Sequence, residues 1–64
     1  MKIDTNLTIK EAAAKMNEFE IGCLIAVGKG KVWGILTERD LLKRVVAEGK
    51  DASRTKVKDI MTSP

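Results

Sequence analysis

The residues best suited to chemistry fall in one run, Gly34-Ile35-Leu36-Thr37-Glu38-Arg39-Asp40. Its apolar half reads as the end of a strand and its polar half as the start of a helix. A hydroxyl, a guanidinium and a carboxylate therefore gather at one junction. A helix start offers unpaired N–H groups and the positive end of the peptide dipoles, which suit an anion. An Asp one turn into a helix can accept hydrogen bonds from two vicinal hydroxyls, as on the ribose in other nucleotide folds. Thr37 would then serve the ribose–phosphate region, and Arg39 a phosphate. The same spacing has a purely local use. Thr-x-x-Asp is a serviceable helix cap, worth about 1 kcal/mol with no ligand present. The residues alone leave both uses open.

Catalysis finds little to work with. There is no His, no nucleophile paired with a base and no Gly-x-x-x-x-Gly-Lys phosphate loop. A carboxylate pair would need a dry enclosure that 64 residues can scarcely build. The expectation is a protein that is not an enzyme, with no catalytic residues, no metal and no cofactor. The lone Cys23 cannot close an internal disulfide, and a conventional zinc site lacks its His. A free Cys within the apolar run Gly22 to Val27 suits a reducing cytoplasm. Cys23 is expected as a small core residue.

Several elements must position the junction. Thr8-Ile9-Lys10-Glu11 matches a capping box, and Ile9, Ala12, Ala13, Met16 and Phe19 follow at helical spacing. This predicts an amphipathic helix over about Ile9 to Glu18, its apolar side in the core. Cys23 to Val27 is a continuous apolar run between Gly22 and Gly28, the pattern of a strand covered on both faces. Gly28-Lys29-Gly30-Lys31 predicts a hairpin connection, and Val32 to Leu36 the returning strand. Gly34 within that strand is costly unless something approaches the backbone closely. Trp33 beside the hairpin is expected to pack there or to lie on an interface.

The second helix should run from Thr37 to about Glu48, with Leu41, Leu42, Val45 and Val46 as its stripe and Gly49 as its stop. Lys50 to Lys56 reads as a polar connector, and Val57 to Met61 as one short helical turn before Ser63-Pro64. A short strand at Lys2 to Asp4 completes the order.

Length adds a constraint. A domain of this size buries only about 60% of the surface that its unfolded chain exposes, so burial barely offsets ordering. With no disulfide or metal, association is the remaining source of stability. Met1-Lys2-Ile3-Asp4 is no signal peptide, and no stretch is apolar for long enough to span a membrane. The net charge is +3. From Lys43 to Lys58 six basic residues stand against two acidic ones, an excess of four, read as a solvated face or an anion-facing edge.

In four places, taken in order, the chain resembles the CBS (cystathionine-β-synthase) domain. These are Glu11-Ala12-Ala13-Ala14-Lys15-Met16, the strand around Leu24 to Val27, the block Gly34 to Leu42, and Val57-Lys58-Asp59-Ile60-Met61-Thr62. The resemblance implies an α+β fold, a β-α-β-β-α repeat with two helices packed on one side of a small sheet. Residues 1–56 would form the repeat body, and residues 57–64 the entry to a following repeat or a tail. It also implies pairing, as a homodimer or with a second repeat, around clefts for adenosine ligands: AMP, ADP, ATP or S-adenosylmethionine.

By the same resemblance Thr37 and Asp40 bind the ribose and its phosphate neighbourhood, Gly22-Cys23 lies near the pocket, and Met61-Thr62-Ser63-Pro64 resembles the entry to a following repeat, where further pocket-lining residues are found. With Arg39, Gly34, Ile35 and Thr62 these make the candidate ligand residues. Some polyphosphate-binding members place basic or His side chains where Gly22 and Cys23 stand, which weighs against tight triphosphate binding here. The alternatives are a structural module with no small ligand, or nucleic-acid binding along the Lys43–Lys58 edge. Sparse aromatics argue against the last.

Overall fold

The computed structural model describes residues 1–63, and Pro64, placed above in the entry segment, lies outside them. The order is β1 (Lys2–Asp4), α1 (Ile9–Phe19), β2 (Cys23–Gly28), β3 (Lys31–Thr37), α2 (Glu38–Leu41) continuing as a π-helical turn over Leu42–Val46, and α3 (Val57–Ile60). The sheet runs β1-β2-β3, with β1 parallel to β2 and β3 antiparallel to it. A parallel pair needs a crossover, and α1 supplies it.

The α1 start is the predicted capping box. The Glu11 amide donates to Thr8 Oγ1 at 3.2 Å, and the Thr8 amide donates back to Glu11 Oε1 at 3.0 Å. The connector after the second helix returns to this end. Its Thr55 and Ala52 carbonyls accept from the Ile9 and Lys10 amides, satisfying donors that a helix start leaves free. The connector is thus tied to α1 rather than loose. The hairpin turns on Lys29 and Gly30, both at positive φ, the turn that matches the twist of the flanking strands. Trp33 sits across it and donates Nε1–H to the Gly28 carbonyl at 2.8 Å.

All helices lie on one side of the sheet's alternating pattern. Ile3, Leu24, Ala26 and Leu36 point to that side and meet Ile9, Ala12, Met16, Val45, Val57 and Ile60 in one core. Here three expectations are corrected. The β2 run is covered on one face, not two: Leu24 and Ala26 are buried, but Cys23 is exposed and Ile25 only half-buried. Among the described residues no second layer covers that face. Cys23 is therefore not a core residue. Phe19, expected inside, is 49% exposed, because the chain turns away at Glu20 in a left-handed conformation before entering β2.

The second helix also differs. It ends at Val46, not near Glu48, and the Ala47 amide reaches back five residues to the Leu42 carbonyl. Leu41 and Val45 turn inward, while Leu42 and Val46 remain 63% and 69% exposed. Residues four apart share a helix face, so the predicted stripe is two adjacent stripes, and the core takes one. Gly49 terminates the segment at φ 67°, as its position predicts.

Candidate functional site

The junction of β3 and α2 is built by reciprocal capping. Thr37 has extended backbone angles, its Oγ1 accepts from the Asp40 amide at 3.2 Å, and its own amide donates to Asp40 Oδ2 at 3.0 Å. Asp40 is 9% exposed, the sole buried charged residue among those described. Its second oxygen, Oδ1, accepts from the Thr62 hydroxyl at 3.3 Å. A buried carboxylate must be satisfied in this way, since leaving it unpaired is expensive.

Thr62 arrives there because the segment after α3 lies along the free edge of β3. The Ile35 amide donates to the Thr62 carbonyl at 3.0 Å, and the Thr62 amide donates to the Ile35 carbonyl at 2.9 Å. Gly34 makes this possible. A Cβ at that position would stand 2.6 Å from the Thr62 carbonyl oxygen and 3.1 Å from Met61 Sδ. The close approach that a glycine in mid-strand implies is thus made by the chain's own C-terminal segment.

Gly22 and Cys23 reach the same end of the sheet. Cys23 is the register partner of Thr37, and the Glu38 amide donates to the Gly22 carbonyl at 3.0 Å. The Glu38 carboxylate packs on Gly22, where a Cβ would be 2.9 Å from Oε1. Seven of the eight expected residues therefore cluster around one junction. Arg39 departs from the group. It lines a groove along the second helix with Glu38, Leu42, Lys43 and Val46.

The open face beside the junction carries a small apolar cleft of about 280 Å³, lined by Val32, Gly34, Ile35, Thr62 and Ser63. Clefts that enclose whole ligands run from roughly 300 to 1,000 Å³. This one is open to solvent, and Ile35 on its wall is 46% exposed. Val32 and Glu38 were not anticipated as neighbours of the site. Only Gly34 signalled that some backbone would lie against β3.

Comparison with known proteins fits this architecture. The family model for the CBS domain matches residues 1–47. The mitochondrial CBS domain-containing protein CBSX3 of Arabidopsis thaliana is 38% identical over 61 residues, covering 91% of this chain and 30% of that protein. Among solved structures, a cystathionine β-synthase domain protein fused to a Zn-ribbon-like domain superposes with a TM-score of 0.96 at 30% identity, covering 100% of this chain and 91% of the other. A hexameric CBS-CP12 protein from bloom-forming cyanobacteria gives 0.90 at 30% identity, covering 100% and 39%.

The chain belongs to the CBS domain family. It is a single repeat of the β-α-β-β-α type, and it spans less than half the length of the curated relatives it matches. No helix among the described residues is long and apolar enough to cross a membrane.

Proposed function

We propose that this repeat is a non-catalytic regulatory module that pairs with a second CBS repeat and holds an adenosine derivative at the Thr37–Asp40 junction. The observation that carries the reading is the position of Asp40, a buried carboxylate bonded to Thr62, which lines an open apolar cleft. Asp40 offers acceptors to the ribose hydroxyls and Thr37 a hydroxyl beside them. Ile35 and the cleft offer an apolar wall to the base. The missing wall would come from the partner.

Two apolar surfaces support pairing. Ile25, Trp33 and Ile35 lie on the uncovered sheet face, and Leu42 and Val46 on the outer side of the second helix. A partner through the helices would therefore meet Leu42 and Val46, because Val45 is already spent on the core. The hexameric relative shows that a protein with this repeat assembles. Glu38 against Gly22 puts negative charge beside the junction. That favours AMP or the cationic S-adenosylmethionine over a triphosphate. The free Cys23 suits a cytoplasmic setting.

One observation favours the structural alternative: every oxygen of Thr37 and Asp40 that the ligand would use already has a partner within the chain. A thermal-shift series with AMP, S-adenosylmethionine and ATP separates the two. A rise in melting temperature with AMP or S-adenosylmethionine supports the ligand-binding reading, by mass action on the folded state. A flat response to all three supports a pairing module alone. On the basic edge, Lys50 and Arg54 lie 3.6 and 3.9 Å from Glu48 and Asp51, and Arg44 donates to the Ile60 carbonyl.

A further inference from the structure

The segment that leaves the repeat is fastened at two depths. Val57 and Ile60 are buried, and Arg44 Nη1 donates to the Ile60 carbonyl at 2.9 Å, so α3 is anchored up to Ile60. Beyond it the backbone turns at Met61 to an extended conformation. Among the described residues Thr62 is hydrogen-bonded by its paired backbone bonds to Ile35 and by its hydroxyl on Asp40. Asp40 and Arg44 stand four residues apart, on one face of the second helix. A single face thus carries both the permanent anchor and the outer fastening.

The two fastenings differ in strength. Hydrogen bonds between oxygens usually span about 2.5 to 3.0 Å, so the 3.3 Å bond from Thr62 to Asp40 is long and readily exchanged. It also occupies the one Asp40 oxygen that the Thr37 amide leaves free.

We propose that the Asp40–Thr62 bond is a latch, closed in the empty repeat and opened when a ligand's hydroxyls take the Asp40 carboxylate. This rests on the ligand reading above and adds its consequence. A diol binds a carboxylate most strongly with one hydroxyl on each oxygen, and Asp40 is too buried to turn a fresh edge toward it. The diol then competes with Thr62 for Oδ1, and the long Thr62 bond is the weaker competitor. Met61 stays packed against the core and bonded to the Val57 carbonyl, while Thr62 loses its side-chain hold and keeps its pair of backbone bonds to the β3 edge. Occupancy at the junction is thereby transmitted to the segment at Thr62, with no movement of the core. Gly34 is the other half of the device, since only a bare backbone lets the segment settle.

Amide exchange of the full chain, followed by NMR at Thr62 and Ile35, tests this. Thr62→Val keeps the shape and the backbone bonds but removes the hydroxyl. Its Thr62-position and Ile35 amides should exchange about fivefold faster than wild type with no ligand present, the factor expected for one modest hydrogen bond. Saturating AMP should accelerate the same amides in the wild type by a similar factor and add nothing in Thr62→Val. If Thr62→Val exchanges like the wild type, there is no latch. If bound AMP slows these amides, Thr62 closes over the ligand and the proposal is overturned. Should AMP not bind, as judged by unchanged melting, the ligand reading and with it the opening step fail. The ligand-free comparison still decides whether the bond holds the segment.

Discussion

Gly34 and the Thr62 carbonyl are in such close approach that a methyl group on Gly34 would lie 2.6 Å from that oxygen. The contact joins the middle of β3 to the segment leaving the repeat, and it sits one residue from the Ile35–Thr62 backbone pair. A glycine that weakens the strand locally is retained by what packs on it.

Gly34→Ala should therefore lower stability by about 1–3 kcal/mol, the range for forcing extra volume into a packed site. Urea denaturation reads this directly. The loss should come with faster exchange at Thr62, because the segment is what must move. An unchanged midpoint would show that the segment does not rest on β3.

Thr37→Ala removes the cap acceptor for the Asp40 amide. It should cost about 1 kcal/mol in the absence of any ligand. Denaturation of the ligand-free protein measures it. A variant as stable as wild type would mean that the reciprocal cap does not hold the helix.

Leu42→Lys and Val46→Lys change residues that are 63% and 69% exposed, so the single repeat should keep its fold. Association should weaken, by an amount that sedimentation at several concentrations reads. Ile35→Lys tests the sheet face in the same way. If all three variants assemble like the wild type, neither surface carries the pairing.

Glu11 accepts from the Thr8 amide and, less strongly, from the Thr8 hydroxyl, and these bonds hold its carboxyl below the usual carboxylate range. A depressed value means that the cap contributes fully above the ordinary Glu range and is lost as pH falls through the lowered one. Thr8→Ala removes the hydroxyl bond and frees the local backbone. A pH titration followed by Glu11 chemical shifts should then show its midpoint moving upward. No movement would separate Glu11 from the cap.

Much of this was legible in the residues because local chemistry dictates it. Both capping boxes, the Lys29-Gly30 turn and the Gly49 stop depend on neighbours within a few positions, and all stand where the pattern places them. Cys23, Ile25, Leu42 and Val46 were harder to place for the opposite reason. Apolar character marks a residue for burial but does not say whether its own chain supplies the cover. In so short a chain the core has one layer of helices, and the second apolar face of β2 and β3 is left open. Gly34 shows a further limit. It announced a close approach, yet the identity of the approaching group, Thr62, lies 28 positions away and is set by the tertiary path.

The central claim is that Asp40 is a ligand group as well as a cap, and Asp40→Asn separates the two uses. Asn keeps an acceptor for the Thr37 amide, so the fold should hold, while the charge and one acceptor oxygen are lost. Calorimetric titration with AMP should give measurable binding by the wild type. Asp40→Asn should weaken it about tenfold or more, the cost of a hydrogen bond to a charged group. Equal affinity in the two proteins, or no heat from either, would contradict the account.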